Sequence, residues 1–113
     1  MTTKEVNTML SSLGIPTAYY QFPEPQEGPP FLCFFYQTNN DMLADDVNYV
    51  RIDHLVVELY TDNKDFDLER QLEGILTGAG MVWSKDEEVL DDERMYEVVY
   101  EMDVIITEEN NGQ

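Results

Sequence analysis
The residues in this chain best suited to chemistry are its acids, and they stand in three settings with different consequences. The run Asp62-Asn63-Lys64-Asp65-Phe66-Asp67 has the outline of a calcium loop, but Lys64 takes a ligand position and Phe66 stands near where the sharp glycine turn belongs. Short polar residues ahead of an apolar helical stripe cap a helix more often than they hold a metal. Asp41, Asp45 and Asp46 would meet a hard cation if a loop gathered them, and turn chemistry explains them as well. Glu97 and Glu101 have the residue types of a glycosidase acid/base pair. Four residues apart on a strand, they lie about 13 Å from each other at roughly 3.3 Å per residue, beyond the ~5–9.5 Å that such chemistry uses.

Nucleophilic catalysis finds no better footing. His54 is the only histidine, so a triad or zinc site would have to be completed without another imidazole, and Ser11, Ser12 and Ser84 lack an elbow motif. The lone Cys33 precludes an internal disulfide, and its setting in Phe31-Leu32-Cys33-Phe34-Phe35 is that of a small core residue. The expectation is a non-enzyme with no cofactor and no metal.

Charge narrows the class further. Six basic and 24 acidic residues leave a net charge of −18 on 113 residues, and residues 86–113 hold eleven of those acids against the single base Arg94. Phosphate binding depends on Lys and Arg, so a conventional grip on nucleic acid or on an anionic membrane is excluded, whereas repelling or imitating DNA is permitted. No stretch approaches the roughly 20 apolar residues of a membrane span, and the first residues read as an amphipathic helix, which points to a cytoplasmic product.

The elements that must position these acids can be read from periodicity. Thr2 and Glu5 form a capping box for a helix over roughly residues 3–13, with Val6, Met9, Leu10 and Leu13 at helical spacing and Gly14 as the stop. Thr17 to Phe22 is rich in strand formers, and the segment 23–30 is an extended loop because four of its eight residues are proline. Phe31 to Tyr36 reads as a central strand covered on both faces. A polar loop over 39–48 contains Met42 and Leu43 without core partners. The strand that follows, Tyr49 to Thr61, changes apolar parity between Ile52 and Leu55, which predicts a bulge or bend near Asp53-His54. Asp62, Asn63 and Asp65 are N-cap candidates for a second helix striped by Leu68, Leu72, Ile75, Leu76 and Ala79 and ended by Gly78 and Gly80.

The most regular signal comes last. Met81-Val82-Trp83 begins a strand, Asp86-Glu87-Glu88 and Asp91-Asp92-Glu93 read as an acidic connection, and Tyr96 to Ile106 alternates. Tyr96, Val98, Tyr100, Met102, Val104 and Ile106 share one parity, while Glu97, Glu101 and Asp103 occupy the other. The pattern predicts a hairpin strand with one buried face and one anionic face, either merely solvated or functional as an electrostatic surface. Thr107 to Gln113 reads as a frayed tail. Together these elements form a single α+β domain over 1–113, a largely antiparallel sheet of four to five strands packed against two helices. Trp83, Tyr19, Tyr20, Tyr36, Tyr60, Tyr96 and Tyr100 suit either sheet packing or contact surfaces. Met42, Leu43, Asp45 and Asp46 in one loop, with Glu87, Glu88, Asp91 and Asp92 in the acidic connection, are the candidate subunit or partner contacts.

Three segments carry a resemblance: Ala18-Tyr-Tyr-Gln-Phe-Pro23, Val57-Glu-Leu-Tyr-Thr-Asp-Asn-Lys-Asp-Phe-Asp-Leu-Glu69 and Glu93-Arg-Met-Tyr-Glu-Val-Val-Tyr-Glu101. They resemble a small family of prophage and phage structural proteins, sometimes labelled after a lactococcal prophage pi2 protein. That group is similar in size and element order to tail terminator or tail-completion proteins of long-tailed phages. The resemblance implies a ring, commonly hexameric, assembled in the host cytoplasm and then resident in the virion. Its implied partners are the tail tube and the head–tail connector proteins, with DNA passing through the bore unbound. In such a ring Glu97, Glu101 and Asp103 would repel passing DNA. The charge also admits two alternatives, an acidic DNA-mimic inhibitor of a host DNA-binding protein and a head–tail adaptor at a neighbouring layer.

Overall fold
The computed structural model describes residues 1–21, 28–37, 52–90 and 95–107. The elements run α1 (Thr3–Ser11), β1 (Thr17–Tyr19), β2 (Phe31–Gln37), β3 (Ile52–Thr61), α2 (Phe66–Gly78), β4 (Trp83–Leu90) and β5 (Met95–Ile105). One five-stranded sheet has the order β1-β2-β3-β5-β4. Only the β1–β2 pair is parallel, so the fold is α+β with a largely antiparallel sheet, as the periodicity predicts.

Both helices begin where their side chains satisfy orphan amides. Thr2 Oγ1 accepts from the Glu5 amide at 3.1 Å and Glu5 Oε1 accepts from the Thr2 amide at 2.9 Å, so the capping box is complete. Of the three N-cap candidates for α2, Asp65 takes the position, accepting from the Leu68 amide at 3.0 Å. Gly14 (φ 90°) and Gly80 (φ 82°) adopt the left-handed turn after each helix that other residues enter at a cost.

The core lies between the helices and one face of the sheet. Val6 and Leu10 of α1 and Leu72 and Leu76 of α2 cover Leu32 and Phe34 of β2, Leu55, Val57 and Leu59 of β3, and Val98, Tyr100, Met102 and Val104 of β5. The even-numbered parity of β5 is therefore its buried face. Each fully buried aliphatic side chain contributes roughly 1.5–3 kcal/mol relative to exposure. In β2, Leu32 and Phe34 face this core, while on the opposite face Cys33 is buried and its neighbours Phe31 and Phe35 are only partly so.

Two expectations are overturned. The β3 ladder against β5 runs unbroken from Ile52↔Ile105 through Asp53↔Val104 and His54↔Asp103 to Thr61↔Tyr96, with no bulge at Asp53-His54. Asp53, not an apolar residue, takes the first core-facing position, so Ile52 belongs to the opposite face and no change of parity has to be absorbed. Asp86-Glu87-Glu88 is not a connection but the middle of β4, paired residue by residue with Val99, Val98 and Glu97. An edge strand is largely solvated, so its acids need no apolar alternation to pair, and charges there discourage indiscriminate edge association. Met42, Leu43, Asp45, Asp46, Asp91 and Asp92 lie outside the described residues, as do most of the 23–30 loop and the tail beyond Thr107.

The acidic sheet face as a candidate functional site
On the face turned away from the helices, residues directly opposite one another in adjacent strands form rows. The rows across β3, β5 and β4 are Tyr60–Glu97–Glu88, Glu58–Val99–Asp86 and Val56–Glu101–Ser84, with His54–Asp103 beyond them. Glu97, Glu101 and Asp103 therefore share one face, and the fold adds Glu58, Asp86 and Glu88 to it. Among the described residues no Lys or Arg joins these rows. Glu88 directly opposite Glu97 is a like-charge pair, an arrangement that destabilises a sheet.

Two side chains from β3 partly relieve this repulsion. His54 donates through Nε2 to Glu101 Oε1 at 2.8 Å and through Nδ1 to Asp103 Oδ1 at 3.1 Å. A carboxylate only accepts, so both bonds form together only when the ring is an imidazolium. The hydrogen bonds to Glu101 and then Asp103 raise the His54 pKa above its usual value, outweighing the opposing effect of burial. Neither ring nitrogen is left to coordinate an ion, and among the described residues no group of three or more His, Cys, Asp and Glu is arranged to hold a metal. Farther along the strand the Tyr60 hydroxyl lies 3.0 Å from Glu97 Oε2 and 3.1 Å from Glu58 Oε1, donating its one proton between them. Burial, together with the charge of Glu97, pushes the Glu58 carboxyl up despite the Tyr60 bond. Burial and the Glu58 charge push the Cys33 thiol up as well, which leaves it a poor nucleophile.

Glu87 departs from this face. Its register partner Val98 is a core residue, so Glu87 points to the helix side, where Lys64 holds it. Lys64 also meets Glu69 Oε1 at 2.9 Å, Lys85 meets the same oxygen at 2.8 Å and Glu73 Oε2 at 2.7 Å, and the Tyr100 hydroxyl donates to Glu73 Oε2 at 2.8 Å. Glu69 is only 1% exposed. Burial alone would raise the Glu73 carboxyl, but the bonds from Lys85 and Tyr100 bring it below the ordinary carboxylate value. The Lys64 bond holds Glu87 low in the same way. This cluster ties α2 to β4, and it draws two of the chain's six cations away from the acidic face. Sequence reasoning missed it, although Glu69 stands three residues before Leu72 and seven before Leu76, on the buried stripe of α2.

The structure thus defines an α+β domain with a mixed sheet, helices on one face and an acidic, histidine-clamped opposite face, without a catalytic constellation among the described residues. No family model and no curated protein matches the sequence. Among solved structures the fold is similar to that of a chain in the virion of a native gene transfer agent (GTA) particle, with a TM-score of 0.53 and 14% identity over 89% of this chain and 87% of that one.

Proposed function
We infer that this chain is a non-enzymatic virion structural protein, acting as a tail terminator or tail-completion protein in a ring at the head–tail junction. The observation that carries the reading is the fold shared, over nearly the full length of both chains, with a component of a gene transfer agent virion. The resemblance of the 18–23, 57–69 and 93–101 segments to prophage structural proteins supports it independently. Glu97, Glu101 and Asp103 gain a use in this setting. Turned toward the bore, with Glu58, Asp86 and Glu88 beside them, they present DNA with a surface of its own sign, which favours passage over adhesion. The partners on this reading are the tail tube, the connector proteins and further copies of the chain.

The test is microscopy of particles assembled without the protein. Tails of irregular length that fail to join filled heads are expected, and tails of normal length that still join heads would rule the role out. For the acidic lining, an E97Q/E101Q/D103N ring should retain more DNA in a filter-binding assay at low salt than the parent ring. Equal retention would dismiss electrostatic avoidance.

A further inference from the structure
The sheet carries both helices on one side, and among the described residues no helix or strand covers the other. Register extends the rows of that open face into β2: Phe31–Tyr60–Glu97–Glu88, Cys33–Glu58–Val99–Asp86, Phe35–Val56–Glu101–Ser84 and Gln37–His54–Asp103. The face therefore changes character from side to side. Toward β1 it is aromatic: the Phe31 and Tyr60 rings stack at 4.8 Å, and Tyr20, 67% exposed, stacks on Phe35 at 5.6 Å. Tyr20 holds its ring there at φ 72°, a left-handed strain of the kind that gathers at functional sites. Toward β4 the face is anionic, with Glu97, Glu101 and Asp103 on β5 and Asp86 and Glu88 beyond them. Avoidance of DNA uses the anionic side and leaves the aromatic side without a role.

The two halves together restrict what can lie on this face. Nucleic acid could stack on the rings, but its phosphates have the wrong sign. A second copy would bring its own net charge of −18. A wholly apolar segment would strip water from Glu97, Glu101 and Asp103 and give them no partner. A protein segment with an apolar stripe flanked on one side by Lys or Arg meets both halves. Glu101 and Asp103 can accept such cations in addition to His54, since their side chains are 44% and 70% exposed. Dimensions favour a helix. From His54 to Tyr60 the strand runs about 20 Å at roughly 3.4 Å per residue, the length of about 14 helical residues at 1.5 Å each. From β2 to β5 the face is two strand spacings wide, about 10 Å, close to the ~10–12 Å diameter of a helix with its side chains.

We propose that the open sheet face is a docking surface for a basic amphipathic helix of another protein. Its apolar stripe lies against Tyr20, Phe35 and Tyr60, and its Lys or Arg side chains lie against Glu97, Glu101 and Asp103. Such a helix gives the sheet a covering layer on its second face, opposite α1 and α2. The proposal goes beyond the terminator role and meets it at one point, because a seated helix covers part of the surface offered to DNA.

The probe is a designed helical peptide of about 18 residues with a Leu/Phe stripe flanked by Lys. It is compared with a scrambled peptide of the same composition and with a version carrying Glu in place of Lys. In about 0.15 M salt, where charges act over about 8 Å, the Lys helix should bind the purified full chain with a Kd below about 100 μM, about tenfold or more tighter than either comparison. NMR shift changes should gather on Val56, Tyr60, Val99 and the His54 ring and spare α1 and α2. E97Q/E101Q should weaken binding about threefold or more, whereas E5Q/D67N, the same loss of charge on the two helices, should not. Y20N should also weaken it about threefold or more, and asparagine tolerates the left-handed backbone there. A Kd above about 100 μM, equal binding of the scrambled peptide, or shifts on the helices in place of the sheet would each overturn the proposal. Parent-like affinity in E97Q/E101Q or Y20N would overturn it as well. The shift map uses the parent chain, so it decides even where a variant unfolds. Tail length and head joining are read separately, so failure here and failure of the terminator role give different outcomes.

Discussion

Replacing Glu69 by Ala is the perturbation that most directly probes how the acidic hairpin is held. The Glu69 carboxylate is 2% exposed and accepts from two lysines that are themselves 21% and 30% exposed, so solvent screens little of the interaction. A hydrogen bond to a charged group is worth roughly 1.5–3 kcal/mol. Two are lost, but Lys64 and Lys85 retain Glu87 and Glu73, and the second Glu69 oxygen is buried without a partner, which already offsets part of the gain. The lower end, about 3 kcal/mol, is therefore expected. For 113 residues an unfolding entropy of roughly 2.1 cal/mol/K per residue converts this to a fall of about 13 °C in Tm. Trp83, the only tryptophan, sits edge-on to Tyr100 at 5.4 Å, so its fluorescence in a urea titration reports on the neighbourhood of the cluster. Glu87→Ala, at a carboxylate 46% exposed, should cost no more than about 1 kcal/mol in the same assay. A loss below about 1 kcal/mol for E69A, or equal losses for the two variants, would refute the view that burial gives this cluster its strength.

Three further outcomes are expected. Because the His54 pKa is raised in the folded state, its contribution is fully present below the unfolded value of about 6.5 and is lost as pH rises through the higher folded value. An NMR titration of this single imidazole should have its midpoint above about 6.5, and His54→Gln should flatten the decline of stability with pH across that window; a midpoint at or below 6.5 contradicts the two-carboxylate clamp. Thr2→Ala should cost about 1 kcal/mol through loss of the first-turn cap, measured as a shift in urea midpoint at unchanged m-value. Leu59→Ala, at a fully buried position of the central strand, should cost about 2–5 kcal/mol, and a loss under 1 kcal/mol would mean that the core lies elsewhere.

Legibility followed the range of the interactions. The Thr2/Glu5 cap, the Asp65 cap among its three candidates and the burial of Tyr96 to Ile106 by parity are local properties, and the residues display them. The bulge at Asp53-His54 was a false inference from a sound rule. Hydrophobic parity assumes that core-facing positions are apolar, and Asp53 is buried at the head of β3. The start of β4 at Trp83 was legible, but its continuation escaped notice for the opposite reason, since a solvated edge strand can carry Lys85 to Glu88 without any apolar period.

By itself, the sequence determined the α+β class, the helix caps, the buried parity of β5 and a net charge that leaves phosphate no cationic grip. Only the tertiary structure decided which acids stand together. It turned Glu87 toward the helices and Glu88 beside Glu97, brought His54 between Glu101 and Asp103, and gathered Lys64, Glu69, Glu73 and Lys85 from a loop, a helix and an edge strand. Backbone propensity and periodicity act over a few residues, whereas charge partnership depends on distances that register and packing set across the chain.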